Sequence, residues 1–251
     1  MLPCYPLTGL PDVSVSTMSH DDAYVDIWWW PYRGEMDWSK VSSVLSSDEQ
    51  ARAATFAFEK DAIAFMAGRH LQRSVLSLYT DIPAADLNIA AGLYGKPYLA
   101  NAGGVTFNLS NAEGLAVFAI SRQCTLLGID AEPMETGFEL ATSSLFCSPS
   151  ELEILSTLQG NERQALLLNY WTLKESLLKA VSTGLAAAPN ELNIRLDRLT
   201  ATILIDSALT RDDICWHHRL LHAPSGHLIA ISAQLGQTNL ILRQRKMPDP
   251  E

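Results

Sequence analysis

The spacing of apolar residues in the first half of the chain predicts a strand, two helices and a pair of strands. The run AYVDIWWWP at 23–31 is typical of a strand. In the segment SSDEQARAATFAF, Ser47 and Gln50 have the spacing of a helix capping box, so we expect a short helix to begin there. Apolar residues then recur at helical spacing from about Asp61 to Tyr79. The runs VTFNLS and LAVFAIS, joined by NAEG, predict two strands.

The same order of elements returns in the second half, from about residue 122. The run TLLGIDAEP predicts a strand, and Ser148 begins a capped helix in which Glu151 closes the capping box. A long helix is expected from about Asn161 to Val181. Further strands are expected near 191–196, 201–206, 214–222 and 227–234. This repeat predicts an α+β fold of two similar halves, and a cleft between two halves is a favoured place for a ligand.

These patterns divide the chain into four segments. The segments are a loose leader at 1–21, an N-terminal α+β half at 22–121, a C-terminal α+β half at 122–243 and a frayed tail at 244–251. The leader lacks a basic start and a continuous apolar stretch, so it does not resemble a signal peptide.

Composition narrows the class of protein. The 251 residues are 47% apolar and 18% charged, as in a globular chain with an ample core. No apolar run approaches the roughly 20 residues that span a membrane, and the formal net charge of −10 argues against nucleic acid as a partner. The four cysteines lie far apart, which indicates a reducing cytoplasm and neither a disulfide framework nor a zinc site. We therefore expect a cytoplasmic protein with no membrane and no nucleic-acid partner.

A net acidic chain can still bind a phosphorylated small molecule through a local basic cluster. Such a cluster contains Arg52, Lys60, Arg69 and Arg73, and the last two share a helix face. Spacing alone leaves open whether these residues contact a phosphate or form a solvated helix face.

Two carboxylates lie at the end of an apolar strand. Asp130 and Glu132 are two residues apart, so on a strand they point to the same side. Burying both costs several kcal/mol each unless a cation compensates, and a hard divalent ion with oxygen ligands would do so. The alternative is that both acids lie at a solvated strand end or cap the next helix.

A third carboxylate lies in the helical stretch WTLKESLLKA. Glu175 shares a helix face with Trp171 and Leu178, whereas a solvated glutamate usually has polar neighbours. Lys179 is placed to pair with it. The two are either an ordinary surface pair worth about 0.2–0.5 kcal/mol, or a metal ligand or general base beside a phosphate-binding lysine.

Several short motifs follow one another along the chain. After the helical segment RAATFAFEKDAIAFMAGRHLQR come GKP at 95–97, FNLSN at 107–111, GIDAE at 128–132 and WTLKESLLKA at 171–180. Together they resemble the 4′-phosphopantetheinyl transferases of the surfactin-synthetase-activating type, whose motifs include GKP, FN-S-H, G-[IV]-D-x-E and W-x-x-K-E-x-x-x-K. The last of these is the most specific. The resemblance extends over roughly residues 22–195.

The resemblance implies an activity and a fold. Such enzymes move the phosphopantetheinyl arm of coenzyme A onto a serine of an apo acyl or peptidyl carrier protein and release adenosine 3′,5′-bisphosphate. Their fold consists of two similar α+β halves related by a pseudo-twofold axis, with coenzyme A and Mg²⁺ in the cleft. Mn²⁺ accepts the same oxygen ligands. A single chain that supplies both halves is expected to act as a monomer.

The resemblance also implies roles for individual residues. Asp130, Glu132 and Glu175 match the metal ligands, and Glu175 also matches the proposed general base. Lys179 matches a lysine on the pyrophosphate, and with Glu175 and Asp130 it completes the expected catalytic set. Besides these three, the residues expected to bind coenzyme A are Arg52, Lys96, Asn108, Ser110 and Asn111.

Asn111 departs from the family pattern, because the family usually has histidine there. Asparagine can donate a hydrogen bond but cannot become cationic. If this position contacts the 3′-phosphate, we expect a modest loss of affinity for coenzyme A and a shift towards coenzymes that lack that phosphate.

Two other functions fit parts of the sequence. A relative that binds coenzyme A or a carrier protein without turnover is supported by Asn111 alone. A serine acyl enzyme is suggested by Ser176 and Lys179, which spell S-x-x-K, but the companion S-D-N, K-T-G and G-x-S-x-G motifs do not occur in the sequence. His217 and His218 lie on a predicted strand and are expected to pack or face solvent, since no cysteine or carboxylate cluster accompanies them.

Overall fold

The computed structural model describes residues 2, 4–6, 22–33, 36–92, 94–182, 187–197, 202–210, 215–236 and 239–250. The predicted leader at 1–21 lies outside the described residues, apart from residues 2 and 4–6. None of the helices described is both long enough and apolar enough to cross a membrane.

Strands and helices occur in the predicted order. The strands are β1 (Cys4–Pro6), β2 (Asp22–Pro31), β3 (Ile89–Ala91), β4 (Pro97–Leu99), β5 (Thr106–Ala112), β6 (Leu115–Ser121), β7 (Leu126–Pro133), β8 (Asn193–Asp197), β9 (Thr202–Asp206), β10 (Trp216–Ala223), β11 (His227–Gln234) and β12 (Asn239–Lys246). The α-helices are α1 (Trp38–Ser42), α2 (Ser47–Ala53), α3 (Glu59–Thr80), α4 (Pro149–Ser156) and α5 (Gly160–Val181). The sequence did not predict α1, β1, β3, β4 or β12, and β1 lies within the segment that was expected to be a loose leader.

The two short helices that the sequence predicts, α2 and α4, begin at capping boxes, and the cap of α2 lies one residue earlier than predicted. Ser148 caps α4 with Glu151, as expected. In α2 the cap is Ser46, paired with Glu49, so the predicted capping pair Ser47 and Gln50 is wrong, although the helix itself begins at Ser47. Both registers match the capping-box pattern. The Glu49 register is favoured because its carboxylate also accepts a hydrogen bond from buried Arg73 at 2.5 Å.

Two sheets share one apolar core. The C-terminal sheet has the order β7-β11-β10-β9-β8, with β1 beside β10, and the N-terminal sheet has the order β12-β2-β6-β5. Val25 and Ile27 of one sheet belong to the same buried cluster as Ile129 and Ile231 of the other. Helix α3 covers the opposite face of the N-terminal sheet, and α5 covers that of the C-terminal sheet. The predicted α+β fold of two halves is confirmed.

The two halves repeat the same local devices. Helices α3 and α5 each have 22 residues, and each ends at a non-glycine residue in the left-handed region. These end residues are Asp81 and Ser182, with φ of 56° and 60°. In each half, the glutamate of the capping box forms a 2.5 Å ion pair with a buried cation of the long helix. The pairs are Glu49–Arg73 and Glu151–Lys174.

The terminal strands cross between the halves. Strand β1 pairs in parallel with β10 of the C-terminal sheet, and β12 pairs in parallel with β2 of the N-terminal sheet. Residues 244–246, assigned from the sequence to a frayed tail, belong to β12. Each sheet therefore contains a strand from the other side of the predicted boundary between residues 121 and 122.

Candidate active site

Side chains from the N-terminal half bond to the edge of β7. The backbone N–H of Ile129 donates to Oδ1 of Asn108 at 2.9 Å, and that of Ala131 donates to Oγ of Ser110 at 3.3 Å. Asn108 and Ser110 are two residues apart on β5, so their side chains project to the same side of the strand. Two of the predicted binding residues therefore join the halves where the candidate cleft lies.

Lys96 makes a third connection between the halves. Its Nζ donates to the carbonyl oxygens of Leu127 at 3.0 Å and Ala180 at 2.8 Å. Burial lowers the pKa of Lys96 to about 8. Its cationic form is favoured by the carbonyls at the C-terminal end of α5, where the helix dipole is negative.

Gly128 allows α5 to lie directly on β7. A Cβ atom built at Gly128 would lie 1.9 Å from the carbonyl oxygen of Ser176 and 2.5 Å from the backbone nitrogen of Ala180. Asp130 and Glu132 follow on the same face of the strand, because strand side chains alternate. The close approach at Gly128 therefore places both acids beside the helix that carries Glu175 and Lys179.

Asp130 is buried at the centre of this cluster. Its Oδ1 accepts hydrogen bonds from Lys179 Nζ at 2.5 Å and from Ser110 Oγ at 3.1 Å. Its Oδ2 is buried and has no hydrogen-bond partner among the described residues. The alternative of a solvated strand end is therefore excluded for Asp130, which is 4% exposed. An unpartnered carboxylate oxygen at such a position is costly unless a cation approaches it.

The other two carboxylates lie within electrostatic reach of Asp130. Burial, and next the charge of Asp130, raise the pKa of Glu132. The same two causes, in the same order, raise the pKa of Glu175. The charge of Lys179 opposes both pKa shifts. Glu175 and Lys179 therefore belong to a larger charged cluster and do not form an isolated surface pair.

The chemistry of this donor set fits a hard divalent cation. It offers carboxylate oxygens only, one of them buried and unpartnered, and their mutual repulsion would be relieved by positive charge. In the part of the chain that the structure describes, no three histidine, cysteine or acidic side chains already stand in the arrangement of metal ligands. Lys179 supplies the counter-charge to Asp130 in this arrangement.

A cavity of about 300 Å³ opens beside the cluster and is lined by both halves. The N-terminal half contributes Lys96 and Asn108, and the C-terminal half contributes Glu175, Lys179 and Ser182. A second cavity of about 440 Å³ shares Lys96 and Ser182 with it. The predicted cleft between the halves is present, and Glu175 is the member of the carboxylate cluster that lines it.

Two predicted binding residues lie elsewhere. Arg52 is exposed on α2, donates to Thr55 Oγ1 at 3.4 Å and lies over the ring of Phe56. Asn111 lines a third cavity of about 450 Å³ with Lys60 on the α3 side of β5, and it faces Gly68. The structure thus brings together Lys96, Asn108, Ser110, Asp130, Glu132, Glu175 and Lys179, but not Arg52 or Asn111.

The alternative of a serine acyl enzyme loses its support, and His218 packs in the core as expected. Ser176 is fully buried against the sheet, where its Oγ donates to Leu173 O at 2.8 Å and lies 2.7 Å from Ser232 Oγ. A serine in that position cannot attack a substrate. His218 is buried against Ser232 at 2.9 Å, and burial lowers its pKa to about 3, so it packs as a neutral residue.

Two residues of this region were missed as site or core residues. Trp171 donates its indole N–H to Glu132 Oε1 at 2.8 Å. Lys174 is completely buried and pairs with Glu151. The signal for Trp171 was present in the sequence, because it lies one turn before Glu175 on the same helix face.

Two family models and several curated relatives match this chain. Residues 126–232 match the family model described as 4′-phosphopantetheinyl transferase superfamily, and residues 28–123 match 4′-phosphopantetheinyl transferase, N-terminal. The chain is 34% identical over 186 residues to the 4′-phosphopantetheinyl transferase HetI of a Nostoc species, an alignment covering 71% of this chain and 76% of the relative. It is 26% identical to the 4′-phosphopantetheinyl transferase Sfp of Bacillus subtilis, over 62% of this chain and 69% of the relative.

Among solved structures, a holo-(acyl-carrier-protein) synthase from Bacillus anthracis in complex with coenzyme A is similar. The match has 16% identity and a TM-score of 0.39, and it covers 44% of this chain and 96% of the synthase.

Proposed function

The chain belongs to the 4′-phosphopantetheinyl transferase superfamily, and on that premise we propose that it transfers the 4′-phosphopantetheine arm of coenzyme A to a serine of an apo carrier protein. The products are holo carrier protein and adenosine 3′,5′-bisphosphate. The observation that carries this proposal is the cluster of three carboxylates and Lys179, in which Asp130 is buried and Glu175 and Lys179 line a cavity formed by both halves.

The reaction replaces one phosphorus–oxygen bond by another. The carrier serine oxygen bonds to the phosphorus that carries the pantetheine arm, and the phosphoanhydride bond to the nucleotide breaks. The serine proton must be removed, and Glu175, which lines the cavity, is the proposed acceptor. Lys179 lines the same cavity as Glu175, and Asp130 orients it through a 2.5 Å ion pair.

Cations and hydroxyls of the cleft suit the phosphates of coenzyme A. Lys179 is part-exposed and donates to Ser110 Oγ at 3.0 Å as well as to Asp130, so it is held at the cavity wall. Lys96 lines the same cavity. Both are proposed to donate to phosphate oxygens, the expected acceptors for ammonium groups. Arg52 and Asn111 remain proposed contacts for the nucleotide end.

Asp130, Glu132 and Glu175 are proposed to hold Mg²⁺ or Mn²⁺. When bound, such an ion neutralises charge on the pyrophosphate as the anhydride breaks. The buried Oδ2 of Asp130 without a partner in the described chain supports this assignment.

Partner, location and assembly complete the proposal. The carrier protein is of the acyl or peptidyl class. A single chain supplies both walls of the cleft, which supports action as a monomer. Cys124, Cys147 and Cys215 are free thiols, as in a reducing cytoplasm.

The test is intact-protein mass spectrometry of an apo carrier protein after incubation with this chain, coenzyme A and Mg²⁺. We expect a gain of one phosphopantetheinyl group, which disappears with EDTA and with the Glu175→Gln variant. No gain on fatty-acid, polyketide and peptidyl carriers alike would refute the transferase. Coenzyme A binding without transfer would identify the binding module instead.

A further inference from the structure

Trp171 links the helix of the active site to one of the acids on β7. Its indole Nε1 donates to Glu132 Oε1 at 2.8 Å. An indole N–H can only donate, so the bond requires Oε1 to be the acceptor and leaves the second carboxylate oxygen for another partner. Among the described residues, Asp130 has no comparable aromatic donor, and its hydrogen-bond partners there are Lys179 and Ser110.

The indole is itself held in place by aromatic packing. The ring of Phe146 meets it edge-on, with centroids 5.4 Å apart and planes at 74°, and Phe138 lies 6.3 Å away. Phe146 is buried, and all three rings belong to the apolar cluster beneath α5. A donor fixed by such packing restricts the orientation of its acceptor more than a flexible side chain would.

We propose that Trp171 is a positioning residue that orients Glu132 towards the divalent cation. The inference rests on the metal role given under the proposed function, but its test reads cation binding and not transfer.

The Trp171→Phe variant removes the N–H and keeps an aromatic ring. Loss of a partner that orients a metal ligand typically weakens metal binding 10- to 100-fold. With saturating coenzyme A, we expect the Kd for Mn²⁺, measured from the electron paramagnetic resonance signal of free Mn²⁺, to rise about tenfold.

The matched control is Trp216→Phe. Trp216 lies on β10 in the same half and stacks on His218, with centroids 6.0 Å apart, away from the acids. This control is expected to bind Mn²⁺ like the unaltered protein. A second control, Phe146→Leu, loosens the aromatic packing but keeps the N–H, and its Mn²⁺ affinity should fall less than that of Trp171→Phe.

A double-mutant cycle separates positioning from general packing. If Trp171 acts through Glu132, Trp171→Phe should change Mn²⁺ affinity less than about twofold in a Glu132→Gln background. An undiminished tenfold effect there would overturn the inference, as would unchanged Mn²⁺ binding by a folded Trp171→Phe variant. Should that variant not fold, Trp171→Tyr, which also lacks the indole N–H and keeps an aromatic ring, tests the same bond and should weaken Mn²⁺ binding similarly.

The outcomes for this inference and for the proposed function can be told apart. Transfer by the unaltered protein without Mn²⁺ binding would overturn the role of Trp171 and leave the transferase intact. Weakened Mn²⁺ binding by Trp171→Phe, in a protein that transfers nothing, would support the role of Trp171 and refute the transferase.

Discussion

At the scale of residues, Lys174 and Glu175 are neighbours on α5 with opposite surroundings. Lys174 is completely buried, where its Nζ donates to Glu151 at 2.5 Å and to the carbonyl of Phe146 at 2.6 Å. Glu175 lines the cavity between the halves. Successive helix residues point about 100° apart, so one faces the core while the next faces the cleft. Charge alone therefore does not mark a functional residue here.

The Lys174→Met variant should be strongly destabilised. It would leave Glu151 buried without its cation, a change that typically costs about 3–5 kcal/mol. Urea unfolding followed by circular dichroism measures the loss, with exposed Lys60→Met as a control expected to change stability by less than about 0.5 kcal/mol. Equal losses in the two variants would show that the buried pair contributes nothing.

The Asn111→His variant tests the departure from the family pattern. Its cavity is lined by Lys60 and by the acids Asp61 and Glu113, so a cationic imidazole would add the positive charge that a phosphate needs there. At pH 6, where an imidazole is largely protonated, we expect a Kd for coenzyme A about tenfold lower, the equivalent of one charge-assisted hydrogen bond. Isothermal titration should show no change for dephospho-coenzyme A. An equal gain for both ligands would place Asn111 away from the 3′-phosphate.

Sequence analysis found the acids of the site but not their supports. Asp130, Glu132 and Glu175 could be singled out because charge at apolar spacing is unusual. The burial of Lys174 could not, because it depends on Glu151 reaching it across the core. The separate positions of Arg52 and Asn111 likewise depend on tertiary packing that motif order does not encode.

At the scale of elements, the contact between α5 and β7 determines the geometry of the site. Glycine is the only residue type that fits at position 128, because a Cβ atom there would overlap the backbone of α5. We expect Gly128→Ala to push α5 outwards, lowering stability by about 3 kcal/mol and transfer more than tenfold. Denaturation and the carrier mass assay measure the two effects. Gly137→Ala is the control, since a Cβ there meets open space, and similar effects in both variants would contradict the explanation.

Strand β10 contributes a pH-dependent element beneath α5. Burial holds the pKa of His218 at about 3, below the value near 6.5 of an unfolded chain. The unfolded state therefore binds the proton first as pH falls, and stability should drop by up to about 1.4 kcal/mol per unit from pH 6.5 towards pH 3. His218→Gln should remove this component from urea midpoints measured across that range. His222→Gln, exposed on the same strand, should retain it, and identical profiles would refute the assignment.

The periodic elements were predictable, and the exceptions have physical causes. Helices α3 and α5 follow from their apolar spacing, and α4 from Ser148 and Glu151. The one-residue error at α2 arose because two serines precede two acceptable partners, and only Arg73 distinguishes them. Strand β12 was missed because its last four residues, RQRK, are polar and charged, as is common at a sheet edge.

At the scale of the whole molecule, a buried acid connects the two ends of the described chain. Asp26 on β2 is 2% exposed and accepts two hydrogen bonds from Arg243 of β12, at 2.7 and 2.5 Å. We expect Arg243→Met to cost about 2 kcal/mol in urea unfolding, since Tyr79 and Arg245 remain as partners. Arg195→Met breaks an exposed pair and should cost less than about 1 kcal/mol. If Arg243→Met costs no more stability than Arg195→Met, the proposed contribution of the buried pair is refuted.

The internal duplication could be predicted from the order of elements, but the exchange of terminal strands could not. Strand β12 pairs with β2, which lies more than 200 positions earlier in the chain. The local pattern of apolar and polar residues does not indicate which distant strand will pair with it. Through this exchange, residues of the C-terminal segment complete the N-terminal sheet.

The crossing of β12 bears on how the protein forms during synthesis. The contact between Asp26 and Arg243 spans 217 positions, so the ribosome must release nearly all of the chain before β2 gains this neighbour. Until then the nascent N-terminal half carries an open strand edge and an acid without its guanidinium. Long-range pairing of this kind slows folding and leaves open edges exposed to aggregation. We therefore expect the last step of folding to be the docking of β12, and chaperones to act before it.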